Sequence, residues 1–262
     1  MGTGGSGPEA TFPRLEAPVH LSPFRMLGRV SAGPDEIAAN LATVRARLED
    51  AARGTGRDPS EVRLIVVTKT VPVAAIGHAV AAGARDLGEN YVTELRDKRP
   101  SFAHEGVRWH YIGALMSGTA TQVADNADVV HTLAGERAAR RLGGRAARAG
   151  RRIDALLEVD FTGERTGVTP EDVETAADVL GSIEGVRLRG LMTIAPLGER
   201  AEDARPCFRR LADLRDRVRE RHPDVLDLSM GMSLDYDVAV QEGATMVRIG
   251  TAIFGERSPI SP

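Results

Sequence analysis

Short runs of apolar and β-branched residues alternate along the chain with longer stretches whose apolar positions recur at helical spacing. The short runs predict eight strands, at 62–68, 84–88, 108–115, 128–133, 153–159, 186–193, 226–230 and 245–249. The stretches between them predict seven helices, at 73–82, 91–98, 119–126, 136–149, 170–180, 202–221 and 235–242. A leading helix is predicted from Pro34-Asp35-Glu36 to about Arg53, because proline and acidic residues favour the first turn of a helix.

Strands separated by helices predict parallel pairing through right-handed crossovers. Eight such units in about 230 residues predict a single (β/α)8 TIM barrel, placed at 34–257. The alternative, a doubly wound open sheet, is not excluded by the alternation alone. Residues 1–33 are rich in Gly, Pro and Ser without an apolar period, so we expect a disordered N-terminal extension; 258–262 are expected to form a C-terminal tail.

Composition narrows the class of protein. The chain has 262 residues, of which 42% are hydrophobic, and a net charge of −3, so it can bury a core and carries no basic excess for nucleic acid or an anionic membrane. Its apolar runs are far below the roughly 20 residues of a membrane span, and no signal peptide is recognisable, so a cytoplasmic location is expected. A single cysteine and histidines without ligand spacing predict no metal site.

The use of lysine singles out one residue. Of the 34 basic residues only two are lysines, Lys69 and Lys98. Lys98 lies in the charged run 94–99, which predicts an ordinary surface position. Lys69 ends the apolar run 64–68, where a lysine can be partly desolvated. A lysine can then give up its proton, which an arginine in a protein cannot.

Barrel enzymes carry their reactive groups at the carboxyl ends of the strands, and phosphate sites often follow strands seven and eight. Lys69 follows the first predicted strand, and glycine-containing turns at 229–233 and 248–251 follow the last two. A neutral lysine amine can form a Schiff base with an aldehyde, and pyridoxal 5'-phosphate (PLP) provides both an aldehyde and a phosphate. The alternative is a surface lysine at a strand end beside glycines that only shape turns.

Two residue types in those turns suit a phosphate. Gly231 and Gly250 allow close approach of the backbone, and Ser233 and Thr251 can donate hydroxyl hydrogen bonds. The helix that begins near Asp235 can add its dipole.

Six segments carry a more specific resemblance: V67-T-K-T-V-P72, G88-E-N-Y91, W109-H-Y-I-G113, R189-G-L-M-T193, L228-S-M-G-M-S233 and V247-R-I-G-T-A-I-F-G255. In this order, over about 35–257, they closely resemble the PLP homeostasis protein family, single-barrel proteins related to the N-terminal barrel of bacterial alanine racemase. The resemblance implies a cofactor, PLP, on seven residues. These are Lys69 as the Schiff-base lysine, Asn90 beside the cofactor, Arg248 facing the pyridine nitrogen, and Gly231, Ser233, Gly250 and Thr251 around the phosphate.

An arginine facing the pyridine nitrogen has a chemical consequence. A permanently cationic donor disfavours protonation of that nitrogen, so the ring is a weaker electron sink than one paired with a carboxylate. The alternative for Arg248 is a salt bridge to a carboxylate at a strand end, such as Asp160.

Two loops depart from the family pattern. Met116-Ser117-Gly118-Thr119 stands where the family has Gln-x-Asn-Lys, and Gly163–Gly167 is a shortened Gly-Glu-x-x-Lys-x-Gly without its lysine. Both loops are expected at the mouth of the barrel, so a changed substrate stays open.

Three functions follow as hypotheses. The first is buffering or delivery of PLP with little turnover, with apo-PLP enzymes as partners, and as a monomer, because no racemase-like β-domain follows residue 255. The second is a PLP-dependent enzyme on an amino acid, racemase-like, with Tyr91, His110 or Tyr236 as its base. The third is a barrel enzyme that uses Lys69 on another carbonyl compound without PLP.

Overall fold

Eight parallel strands close into a barrel in the computed structural model, which describes residues 29–196 and 198–258. The strands are β1 (Arg29–Val30), β2 (Arg63–Val67), β3 (Asp86–Glu89), β4 (Arg108–Tyr111), β5 (Val129–Leu133), β6 (Ile153–Glu158), β7 (Val186–Met192), β8 (Asp227–Ser229), β9 (Met246–Ile249) and β10 (Arg257–Ser258). The barrel comprises β2 to β9, and β9 pairs with β2, so that Arg248 lies opposite Ile65. The predicted (β/α)8 barrel is confirmed, and closure rules out the open sheet.

Helices connect the strands as predicted. They are α1 (Pro34–Gly54), α2 (Val73–Ala81), α3 (Val92–Lys98), α4 (Ala120–Asn126), α5 (Glu136–Arg148), α6 (Val173–Gly181), α7 (Arg205–Arg219), α8 (Tyr236–Gln241) and α9 (Thr251–Phe254). The short helix α9 was outside the prediction, because four residues are too few to show a helical period. The predicted strand at 108–115 ends at Tyr111, and a loop carries the chain from there to α4.

Helix α1 covers the side of the barrel between α2 and α8. Pro34 occupies its first turn, and the Glu36 carboxylate accepts a hydrogen bond from the Gly33 backbone N–H at 3.3 Å. Ile37, Leu41 and four further residues recur on one face of the helix and are buried, which is the periodic pattern that predicted it.

The two ends of the described chain meet. Strand β1 pairs antiparallel with β10, Arg29 opposite Ser258 and Val30 opposite Arg257. The predicted disordered extension covers 1–33, of which 1–28 lie outside the described residues, as do 259–262 of the predicted tail. The described residues 29–33 and 258 lie outside the predicted barrel limits of 34 and 257.

The barrel interior is divided between apolar and polar side chains. Ile65, Val129, Leu156, Met192 and Met246 form an apolar cluster that is almost fully buried. A second group of buried side chains, on strands β4, β5, β8 and β9, is polar: His110, His131, Ser229 and Arg248. The remaining apolar core lies between the strands and the surrounding helices. None of the helices in the described ranges is long and apolar enough to span a membrane.

Candidate functional site at the carboxyl ends of the strands

Lys69 lies two residues beyond β2, at the mouth of the barrel, and is half-buried. The next residue, Thr70, has a φ of 61°, in the left-handed region that non-glycine residues rarely adopt. Its backbone N–H donates to Glu94 Oε2 at 2.8 Å, and its hydroxyl donates to the Lys69 carbonyl oxygen at 2.6 Å. These two hydrogen bonds hold the turn that carries Lys69 in a strained conformation, which fixes the direction of the chain at the candidate lysine.

Lys98 is buried, and the prediction of a surface position was wrong. Only 2% of the residue is exposed. Its ammonium donates to the Thr68 carbonyl oxygen at 2.8 Å, to Glu89 Oε1 at 2.7 Å and to Glu94 Oε2 at 2.5 Å. Three acceptors match the three N–H donors of an ammonium. The charged run concealed this position, because two of the acceptors, on Thr68 and Glu89, belong to other elements.

Glu89, the last residue of β3, completes a buried cluster behind Lys69. Its Oε1 also accepts from the Thr68 hydroxyl at 2.7 Å, whereas Oε2 is buried and has no hydrogen-bond partner among the described residues. Burial raises the pKa of the Glu89 carboxyl, and the neighbouring Lys98 opposes that shift. The cluster fixes the backbone on both sides of Lys69, at Thr68 directly and at Thr70 through Glu94.

Asn90 follows β3 and is half-buried. The turn after β4 passes so close that a Cβ atom on Gly113 would lie 1.9 Å from the Asn90 carbonyl oxygen. Only glycine fits there, which explains the glycine in W109-H-Y-I-G113. The Asn90 backbone is therefore packed in place at the mouth.

Arg248 is buried in β9 and points into the polar part of the barrel. Its Nη1 donates to Ser229 Oγ at 2.6 Å and its Nη2 to the Thr193 carbonyl oxygen at 2.9 Å. Burial lowers the pKa of Arg248 to about 10, which leaves the guanidinium charged at neutral pH. The alternative of a salt bridge to Asp160 is wrong, because that carboxylate accepts its hydrogen bonds from its own loop, at Thr162 and the Arg165 backbone.

The turn after β8 is hydrogen-bonded to strand β9 through the backbone. The Arg248 N–H donates to the Gly231 carbonyl oxygen at 3.0 Å. Gly231 has a φ of 91°, and a Cβ there would lie 2.6 Å from the Ala239 Cβ, so the turn is pressed against α8. Asp235 fixes the rest of this turn by accepting from the Met232 N–H at 2.6 Å.

Ser233, Gly250 and Thr251 complete the two turns. Ser233 is half-buried, Gly250 precedes the first turn of α9, and Thr251 is its exposed first residue. The first N–H groups of a helix have no acceptor within the helix. The two turns thus offer backbone N–H groups and two hydroxyls at the end of the barrel where a phosphate is expected.

Comparison with known proteins shows the family of the chain. Residues 34–258 match the family model described as alanine racemase, N-terminal domain. The chain is 40% identical over 229 residues to the pyridoxal phosphate homeostasis protein of Pseudomonas aeruginosa, covering 86% of this chain and 98% of that one. The chain belongs to the pyridoxal phosphate homeostasis protein family. The relative from Aquifex aeolicus is 37% identical over 220 residues, covering 83% of this chain and 96% of that one.

A solved structure agrees with this membership. PipY of Synechococcus elongatus, whose structure has PLP bound, is 35% identical with a TM-score of 0.75, covering 84% of this chain and all of that one. In this family member the donor set fits PLP: a lysine at one strand end, a buried cation on β9, and two glycine-containing turns after β8 and β9. Six of the seven predicted site residues lie at the carboxyl ends of the strands or in the loops that follow them, and Thr251 is the first residue of α9.

One acidic residue at the mouth of this homeostasis-family chain, Glu158, was not among the predicted site residues. Glu158 ends β6 and is 2% exposed, and Arg165 Nε lies 3.4 Å from its Oε1. Burial raises the pKa of the Glu158 carboxyl, and Arg165 and Arg248 oppose that shift. The alternation of side chains along β6 could have predicted its inward position, because Glu158 lies two residues after Leu156, a member of the interior cluster, and so faces the same side. Arg165 belongs to the loop that replaces the family's lysine-containing segment.

Proposed function

We propose that the chain binds PLP, holds it as a Schiff base on Lys69 and serves PLP homeostasis by buffering or delivering the cofactor. The observation that carries the proposal is the placement of Lys69 at the mouth of a barrel whose last two strands are each followed by a glycine-containing turn, the first of them hydrogen-bonded to β9. The family membership supports the same cofactor, since the PipY structure has PLP bound.

Each predicted site residue is assigned to one part of the cofactor. The Lys69 amine adds to the aldehyde, the carbon–nitrogen double bond forms, and one water leaves. Gly231, Ser233, Gly250 and Thr251 are assigned to the phosphate, Asn90 to the side of the ring, and Arg248 to the ring nitrogen. When bound, PLP supplies an electron-withdrawing ring.

Arg248 accounts for low turnover. Its guanidinium is a hydrogen-bond donor that does not accept a proton, so a proton on the ring nitrogen facing it is disfavoured. An unprotonated ring stabilises a carbanion poorly, which limits racemisation and related reactions. The site thus favours reversible holding of the cofactor.

The alternative, a PLP-dependent enzyme on an amino acid, requires a base near the substrate. His110 has both ring nitrogens engaged, at 2.8 Å from Asp86 and at 2.8 Å from His131. Tyr236 is buried on α8 with the Arg47 guanidinium 4.9 Å from its ring centroid. Of the three candidate bases only Tyr91, which is 55% exposed, has a side chain open to solvent. This arrangement favours the homeostasis role.

An absorbance measurement tests the proposal. Purified protein is mixed with PLP, unbound PLP is removed by gel filtration, and the visible absorbance of the protein fraction is measured for the wild type, Lys69→Ala and Lys69→Arg. We expect a visible band in the wild type, its loss on borohydride reduction, and no band in either variant. Wild-type protein that takes up no PLP, or a Lys69→Ala band equal to that of the wild type, would contradict the proposal.

Two further assays separate the roles. The loaded protein is incubated with a PLP-dependent apo-enzyme, and separately with L-amino acids in deuterated water. Transfer of PLP without deuterium at Cα supports homeostasis, and steady incorporation of deuterium supports the enzyme.

The cytoplasmic location, the monomeric state and the domain limits at 34 and 257 stay predictions. Light scattering on the eluting protein tests the monomer. Limited proteolysis tests the limits, with cleavage expected before residue 34 and after 257.

A further inference from the structure

A continuous line of hydrogen bonds crosses the barrel interior and ends on Arg248. Asp86 Oδ1 lies 2.8 Å from His110 Nε2, and His110 Nδ1 lies 2.8 Å from His131 Nε2. His131 Nδ1 lies 2.8 Å from Ser229 Oγ, which accepts from Arg248 Nη1 at 2.6 Å. The line runs through β3, β4, β5, β8 and β9, and both histidines and Ser229 are fully buried. It joins the amino-terminal part of β3 to the predicted cofactor arginine.

The proton positions in this line follow from its two ends. Burial is the largest influence on the pKa of Asp86 and raises it, but the hydrogen bond to His110 and the neighbouring positive charges, Arg108 and Arg63 among them, together lower the pKa below its usual value. The carboxylate is therefore ionised and accepts from His110 Nε2. In a neutral His110, Nδ1 is then an acceptor, and His131 Nε2 must donate to it. His131 Nδ1 is in turn an acceptor for the Ser229 hydroxyl. All four hydrogen bonds therefore point the same way, from Arg248 to Asp86.

Burial keeps both histidines neutral. Desolvation lowers the pKa of His110 and lowers that of His131 well below its usual value. Asp86 raises the pKa of His110, but burial outweighs it. The other charged groups that act on the pair are all cationic and oppose protonation: Arg63, Arg108 and, at His131, Arg248. A second positive charge beside Arg248 is thereby avoided.

The consequence falls on Ser229. The Ser229 hydroxyl proton is donated to His131 Nδ1, so the Ser229 oxygen can only accept a hydrogen bond from Arg248. Without an acceptor at His131 the hydroxyl can turn its proton elsewhere, and the Arg248 Nη1 loses a defined partner. With the Thr193 carbonyl oxygen, Ser229 takes two of the five N–H donors of Arg248 and fixes the plane of the guanidinium.

We propose that His131 and His110 are positioning residues that orient Arg248 toward the ring nitrogen of the cofactor. The inference rests on the proposed function and deepens it, because it assigns the control of Arg248 to residues that do not touch PLP.

The first test uses the protein without cofactor. Histidine is labelled with 15N, and long-range proton–nitrogen correlations give the tautomer of each ring at pH 7.5. We expect His110 and His131 both neutral with the proton on Nε2. A proton on Nδ1 of either ring, or a charged ring, overturns the proposed direction of the line.

The second test measures PLP on variants that break the line. His131→Phe removes the acceptor for Ser229, and His131→Asn keeps an amide oxygen in reach of it. Ser229→Ala removes the acceptor for Arg248. We expect His131→Phe and Ser229→Ala each to weaken PLP binding by about tenfold, with His131→Asn intermediate. The double variant should lose no more than either single one, because both act through the same contact.

A spectroscopic readout separates positioning from general damage. With PLP labelled with 15N in the ring, the nitrogen shift should change in His131→Phe and return toward the wild-type value in His131→Asn. His222→Phe, which removes the surface contact with Asp178, is the matched control. It should change neither the PLP affinity nor the ring-nitrogen shift. Should His131→Phe fail to fold, His131→Asn and Ser229→Ala carry the comparison.

Two negative results have different meanings. Folded variants that bind PLP with the wild-type affinity and ring-nitrogen shift overturn the positioning role alone. Wild-type protein that takes up no PLP overturns the proposed function and this inference with it.

Discussion

The ammonium of Lys98 lies 2.8 Å from the carbonyl oxygen of Thr68, the residue directly before Lys69. One of the two lysines in the chain thus holds the backbone that carries the other. Its further bond to Glu94, which accepts from the Thr70 N–H, extends this support to the residue directly after Lys69. The candidate lysine is therefore placed by a buried charged cluster that the cofactor need not touch.

Replacing Lys98 by methionine should destabilise the protein strongly. The change leaves the buried Glu89 carboxylate without its cation, and breaking a buried pair in this way costs about 3–5 kcal/mol. Urea unfolding measures the loss. Arg96→Met is the control, because its ion pair with Asp97 is exposed, and about 0–1 kcal/mol is expected. Equal effects of the two changes would show that the Lys98 cluster carries no special weight.

Glu89→Gln should be tolerated far better than Lys98→Met. The amide oxygen can still accept from Lys98 and Thr68, and the change removes one negative charge from a buried site where burial already raises the pKa of the carboxyl. We expect a change in unfolding free energy within about 1 kcal/mol. A loss as large as that of Lys98→Met in the same urea assay would mean that the full charge of Glu89 is required.

The position of the candidate site was easier to predict from the sequence than the buried side chains that hold it in place. Lys69, Arg248 and the glycine turns could be predicted because the carboxyl ends of all strands of a parallel barrel lie at one mouth, so strand order alone groups them. The burial of Lys98 could not be predicted from the sequence, because Thr68, whose carbonyl oxygen accepts its hydrogen bond, lies 30 residues away. The local charge pattern also resembled a solvated helix face. The pairing of His110 with His131 depends likewise on which residues of two strands face inward.

Stability should fall as the pH drops below about 6.5. Burial lowers the pKa of both His110 and His131 in the folded protein. Below their ordinary value the unfolded chain therefore binds protons that the folded chain does not, and stability decreases toward the lowered values. Each histidine contributes at most about 1.4 kcal/mol per pH unit in that window.

Urea unfolding between pH 7.5 and 5 measures this slope. His131→Asn should reduce it by removing one of the two groups, and His222→Asn, at the surface, should leave most of it. A His131→Asn slope equal to that of the wild type would contradict the assignment.

Gly231→Ala should damage both stability and PLP binding. The residue has a φ of 91°, and an added Cβ would lie 2.6 Å from the Ala239 Cβ. We expect a loss of about 1–3 kcal/mol in unfolding free energy and weaker PLP uptake, because the turn must shift. Gly118→Ala, in the loop after β4 where a Cβ meets nothing within 4 Å, is the matched control for heat and urea unfolding. If both variants matched the wild type, the close fit of the turn on α8 would be of no consequence.

The covalent link to Lys69 is tested most directly by mapping the modified lysine. The protein is loaded with PLP, reduced with borohydride, digested with trypsin and analysed by mass spectrometry. A modified Lys69 resists trypsin, so we expect the reduced pyridoxyl phosphate group on one peptide spanning 64–85, with Lys98 unmodified. An unmodified 64–69 peptide from loaded protein, or the group on Lys98 instead, would contradict the account.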